Sequence, residues 1–143
     1  MHQIPFLVNL DVDDLEKAIT FYSAAFALKV GRRFGGFGVE MLGSSVPLYL
    51  LVKAAGTQAA DTITQRRSYQ RHWTPVHLDF VVEGIEAAVA NAVAAGAKVE
   101  EPVTVRQWGK IAMLADPFGH GFCFLQFVGR GYDEIADQGP PAC

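Results

Sequence analysis

Apolar and polar residues alternate at the start of the chain. Ile4, Phe6, Val8, Leu10 and Val12 are separated by Gln3, Pro5, Leu7, Asn9 and Asp11, the period-two signature of a strand with one apolar and one mixed face. The period then lengthens. Leu15, Ala18, Ile19, Tyr22 and Phe26 recur at helical spacing, and Asp13, three residues ahead of Glu16, reads as an N-cap with a capping-box partner. The same succession returns later. Val76, Leu78, Phe80 and Val82 alternate with His77, Asp79 and Val81, and a helical stripe of Ile85, Ala88, Val89 and Ala92 runs to Gly96, a residue suited to a left-handed C-cap.

The two copies superpose at a shift of 70 residues: Leu7 on His77, Asn9 on Asp79, Leu15 on Ile85, Glu16 on Glu86 and Ile19 on Val89. After each helix the pattern predicts three strands, at 28–34, 37–42 and 46–52 in the first copy and 98–105, 108–115 and 122–128 in the second. Asp116-Pro117-Phe118-Gly119 supplies turn residues ahead of the last one. Each half is therefore βαβββ. The expected organisation is one domain with module one at 3–53, a linker at 54–74, module two at 75–128 and a tail at 129–143.

One helix cannot cover both faces of a four-strand sheet, so the uncovered faces must meet something else. The predicted fold class is α+β: two βαβββ modules forming a mixed eight-strand sheet curved around a ligand cup, with the helices outside. Alternation assigns the cup wall to Leu7 and Asn9, to Tyr49, Leu51 and Lys53, to His77 and Asp79, and to Cys123, Leu125 and Phe127. Trp108, beside Gly109, has two readings: at the cup mouth, stacking on a flat ligand, or packed at a sheet edge.

A length of 143 residues fits a single domain, and 50% hydrophobic with 19% charged residues excludes a disordered chain. Twelve Lys and Arg against 15 Asp and Glu give a net charge of −3, no footing for nucleic acid or an anionic membrane surface. The longest apolar runs, such as 46–52, fall well short of the roughly 20 residues of a membrane helix. The chain begins without a signal-peptide pattern, and Cys123 and Cys143 do not suggest a disulfide framework, so a cytoplasmic location is expected.

The doubled βαβββ pattern, the run Asp14-Leu15-Glu16-Lys17-Ala18-Ile19-Thr20-Phe21-Tyr22 and the closing Asp116-Pro117-Phe118-Gly119-His120 resemble the vicinal oxygen chelate superfamily. Its members include glyoxalase, bleomycin-resistance proteins, fosfomycin-resistance enzymes and extradiol dioxygenases. The resemblance implies a homodimer. In the enzymes it also implies a divalent metal held by His or Glu from the first, fourth, fifth and eighth strands. Carried onto this chain, those positions fall on Leu7, Tyr49, His77 and Cys123. Leu7 cannot bind a metal. Of the four, His77 alone matches, and an aliphatic side chain in the first-strand slot favours an apolar ligand surface instead.

The remaining candidates each carry two readings. His77 with Asp79 forms a metal-free acid–base pair, or His77 is a leftover of an ancestral ligand set. Cys123 is a reactive thiolate or a small buried hydrophobe. Tyr49 orients a ligand or packs in the core. Arg66, Arg67 and Arg71, with Trp73, recognise an anionic group or are solvated linker charges. His2, His72 and His120 are expected to be exposed and without a role. The leading expectation is a small-molecule-binding protein of the bleomycin-resistance type, with an apolar or aromatic ligand in a metal-free cup and no cofactor. The alternatives are a metal-dependent lyase or dioxygenase with a divalent ion at His77, and a metal-free acid–base enzyme using His77 and Asp79.

Overall fold

The computed structural model describes residues 2–137. Strand β1 (Val8–Val12) leads into helix α1 (Leu15–Phe26), followed by β2 (Lys29–Arg33), β3 (Gly38–Leu42) and β4 (Leu48–Val52). After the linker come β5 (Leu78–Val81), α2 (Ile85–Ala95), β6 (Lys98–Arg106), β7 (Gly109–Ala115) and β8 (Gly121–Phe127), then a short 3₁₀ turn, Gly131–Glu134. The α+β class and the two βαβββ modules are as predicted. The eight strands divide into two four-strand sheets, ordered β1-β4-β3-β2 and β5-β8-β7-β6. In each, the first strand runs parallel to the last and forms an outer edge, while the other pairings are antiparallel.

Two local expectations are corrected. The first strand begins at Val8 rather than Gln3, because its ladder on β4 starts with Val8 donating to the Pro47 carbonyl at 2.8 Å. Upstream, Pro5 has no N–H to give. The cap of α1 is Asp14, not Asp13: its carboxylate accepts the Lys17 N–H at 3.1 Å, the reach from an N-cap to the third helical residue. Glu16 therefore sits one place too early for a capping box and pairs with Arg33 at 3.1 Å. At α2 the cap is Gly84, which has no side chain, and Gln126 Oε1 from β8 accepts the Ile85 N–H at 2.9 Å instead. The other end of α2 is closed by Gly96 at φ +120°, where a side chain would be strained.

Each helix buries its apolar stripe on one face of its own sheet. Ala18, Phe21, Tyr22 and Ala25 of α1 join the core with Val39, Met41, Leu48 and Leu50; Ile85 and Ala92 of α2 join Ala112, Leu114, Phe122 and Phe124. The modules meet through these helices. Asn91 of α2 donates to the Ala24 carbonyl at 2.7 Å, and the Phe26 ring lies 4.2 Å from Phe80 and 5.3 Å from Phe122. A second joint is polar. The Tyr22 hydroxyl donates to Asp116 Oδ2, and Asp116 Oδ1 accepts the N–H groups of Phe118 at 2.8 Å and His120 at 2.9 Å. Burial first, and then Asp116, hold the Tyr22 phenol well above its usual range. The recognition motifs around Tyr22 and Asp116 thus join the two modules.

Candidate functional site

Along the helix-free face of the first sheet, Tyr49 is in register with Asn9 on one side and Glu40 on the other, so the three side chains form a row. Tyr49 is half-buried and its hydroxyl is committed within the protein. It donates to Glu40 Oε2 at 3.1 Å and accepts from Arg32 Nη2 at 2.9 Å. Arg32 also grips Glu40 at 2.7 and 3.3 Å and donates its backbone N–H to the same carboxylate at 3.1 Å. These bonds, the side-chain one first, hold the Glu40 carboxyl down at about 2. Bare backbone at Gly31 makes room, since a Cβ there would stand 2.5 Å from Glu40 Oε1. Phe34 lies nearly parallel to Tyr49, 6.2 Å between centroids, and widens the aromatic surface. Leu51 is half-buried, and Leu7, one residue ahead of β1, is 49% exposed.

The corresponding face of the second sheet carries different chemistry. Asp79 is in register with Cys123, and Val81 with Leu125. The His77 Nδ1–H donates to Asp79 Oδ1 at 2.9 Å, because a carboxylate oxygen only accepts, and this leaves Nε2 as the open nitrogen of the ring. Ligand atoms of His77, Asp79 and Cys123 lie within 4.8 Å of one another. Cys123 is buried, and burial first, then the Asp79 carboxylate, push its thiol up to about 11. At neutral pH it is a thiol, not an activated thiolate. Leu125 is buried beside it, and Phe127 packs with Trp108 (5.9 Å) and Tyr132 (4.7 Å) at the far end of the strand.

As a metal-holding set this cluster has three donors, the number of protein ligands that catalytic zinc takes, but two of them are engaged. Asp79 accepts the His77 Nδ1–H, and Cys123 is a buried thiol that must first lose its proton. Three ligands are reached only by giving up that hydrogen bond and that proton together. With the bond made and the thiol protonated, the residues as arranged do not fit a catalytic metal within one chain.

The structure brings Asn9 together with Tyr49, and His77 with Asp79 and Cys123, but on separate sheets. A cavity of about 780 Å³ lies on the helix side between the modules, walled by Val8, Phe26, Phe80 and Phe124. Of the residues assigned to the cup only Asp79 borders it. A smaller cavity of about 50 Å³ adjoins His77, with Arg71, Trp73 and Met113 in its wall.

Sequence reasoning missed Arg32, Glu40 and Tyr132. Glu40 was accessible, since it alternates with Val39 and Met41; Arg32 was hidden by a register shift in β2 between Val30 and Arg33. The linker arginines are not simply solvated. Arg67 pairs with Asp11 at 2.8 Å, Arg71 with Glu100 at 2.6 Å, and Arg66 donates to the Gly56 carbonyl at 2.9 Å. His72 and His120, expected to be exposed, are half-buried and hydrogen-bonded to each other.

Comparison with known proteins agrees with this architecture. The fosfomycin resistance protein FosX from Listeria monocytogenes superposes with a TM-score of 0.70 at 16% identity, covering 95% of this chain and 100% of that one. A hypothetical protein from S. aureus gives 0.65 at 25% identity, over 86% and 96%. A glyoxalase/bleomycin resistance protein/dioxygenase family enzyme from Burkholderia phytofirmans gives 0.64 at 16%, over 85% and 97%. No curated protein sequence matches the chain. The family model of the glyoxalase-like domain matches residues 7–125, so the chain belongs to the glyoxalase-like domain family, within the vicinal oxygen chelate superfamily.

Proposed function

We propose that this protein binds a small apolar or aromatic molecule without a metal, in a cup completed by a second copy of the chain, and acts by holding its ligand in the manner of bleomycin-resistance proteins. The observation that carries the reading is the pair of equivalent slots 70 residues apart: Leu7 offers hydrocarbon where His77 offers a nitrogen. The surfaces around them suit a flat ligand. Tyr49 and Phe34 present rings whose polar partner, Glu40, is already bonded, while Asn9 and the His77 Nε2 remain to orient polar edges. Affinity would come chiefly from desolvating apolar ligand surface, about 25 cal/mol per Å² before the cost of association. The positions of β1 and β5 at the edges of their sheets, with Val76 and Val81 exposed beside the latter, support pairing of modules across a homodimer. No helix among the described residues is long and apolar enough to cross a membrane. Cys123, unpaired among the described residues, supports a cytoplasmic location.

The test is a titration against a panel of flat aromatic compounds, followed by tryptophan fluorescence with and without EDTA, alongside sedimentation equilibrium. Saturable binding that EDTA leaves intact, by a dimer, is expected. Affinity that disappears on chelation and returns with one divalent ion would overturn the reading. One observation favours a second reading, metal-free acid–base chemistry: the His77–Asp79 hydrogen bond orients the ring with Nε2 open. It predicts turnover that collapses in Asp79→Asn.

A further inference from the structure

The linker, the β7–β8 turn and β1 meet at two histidines outside the candidate cup. His72 Nδ1 is 2.9 Å from the Gln70 carbonyl, His72 Nε2 is 3.1 Å from His120 Nδ1, and His120 Nε2 is 2.7 Å from the Asp11 carbonyl. The row has three contacts and two ends that can only accept. Each carbonyl requires an N–H from the ring facing it, which fixes Nδ1–H on His72 and Nε2–H on His120. Two neutral imidazoles would then meet lone pair to lone pair. Turning either tautomer over closes the middle contact and leaves a lone pair against a carbonyl. Three hydrogen bonds need three protons, and two neutral rings carry two.

We infer that His72 and His120 share one extra proton and act as a proton-dependent clasp, tying the linker and the β7–β8 turn of module two to β1 of module one. The surroundings suit a single positive charge. Asp116, buried at the base of the same turn, accepts the His120 backbone N–H and takes part in none of the ion pairs among the described residues. The other charged groups facing the clasp are already matched: Asp11 of β1 with Arg67 of the linker, and Arg71 of the linker with Glu100 of β6. Tyr69 stands edge-on to His120 at 6.5 Å, its phenol raised by burial and the nearby Asp11, and Tyr22 of α1 is bonded to Asp116.

The same count says what breaks the clasp. Without the third proton two lone pairs meet at the middle contact, and with a fourth proton two N–H groups meet there, so loss and gain both weaken it.

Long-range ¹H–¹⁵N spectra of the imidazoles between pH 5 and 8.5, with assignments from His72→Gln and His120→Gln, test the idea directly. Expected are an Nδ1–H ring for His72, an Nε2–H ring for His120, and a third shared proton that is gained or lost by both rings together. Urea unfolding of the wild type against the double variant should show a stability difference that passes through a maximum within that pH range. Two rings that titrate independently, or neutral tautomers across the range, would overturn the inference. The spectra of the wild type alone decide it if the double variant does not fold.

Discussion

The two modules share one scaffold and have diverged on the faces their helices leave uncovered. In module one the polar groups of that face satisfy one another: Arg32, Glu40 and Tyr49 close a set of hydrogen bonds, and what remains on it is aromatic surface and the Asn9 amide. In module two His77 is oriented by Asp79 beside a protonated Cys123, with one ring nitrogen open. The apolar stripe and the βαβββ order are common to both halves, and the residues of the uncovered faces are not.

The comparison breaks most completely at what both halves share. Asp116→Ala leaves the Tyr22 hydroxyl and two backbone N–H groups without a partner. It should cost roughly 4 kcal/mol in urea unfolding, at 1–3 kcal/mol per unsatisfied buried group. Loss below 1 kcal/mol would mean that the motif does not join the modules. The chemistry of module two is sharpened next. In a Cys143→Ser background, alkylation of Cys123 at pH 8 should run on the order of a hundredfold slower than a free thiol near 8.5 and quicken toward pH 11. Rapid modification at pH 7 would restore the activated-thiolate reading.

The two helix starts offer a smaller contrast. Asp14→Ala removes a cap supplied from within α1, and Gln126→Ala one supplied to α2 from β8. Each should cost about 1 kcal/mol by thermal or urea unfolding. The long-range cap should change the unfolding of module two alone if the halves loosen separately. The least effect concerns Glu40. Its carboxyl is held down, so its contribution to stability is present above its ordinary range and is lost as pH falls through about 2. The difference between wild type and Glu40→Gln should therefore shrink on acidification from pH 5 toward 2, and a difference that grows would contradict the pairing with Arg32.

The fold was legible because its signal is periodic and repeated. The 70-residue offset reappears in the helix starts at Leu15 and Ile85. Local hydrogen-bond geometry was less so. Asp13 and Asp14 are both acceptable caps by composition, and only the position of the first helical turn chooses between them. On the candidate site, alternation placed Asn9 with Tyr49 and Asp79 with Cys123, since ladder register follows from period two. It could not show Arg32, displaced by an irregular register, nor the pairing of Arg67 with Asp11, 56 residues apart. His72 and His120 were likewise invisible as a pair, because linker and turn meet only once both modules are folded.

Metal stoichiometry tests the central claim most directly. The protein, equilibrated with zinc or manganese and freed of unbound ion by gel filtration, is assayed by elemental analysis beside His77→Ala. The account predicts far less than one ion per chain, unchanged by the substitution. One ion per chain, lost in His77→Ala, would contradict it.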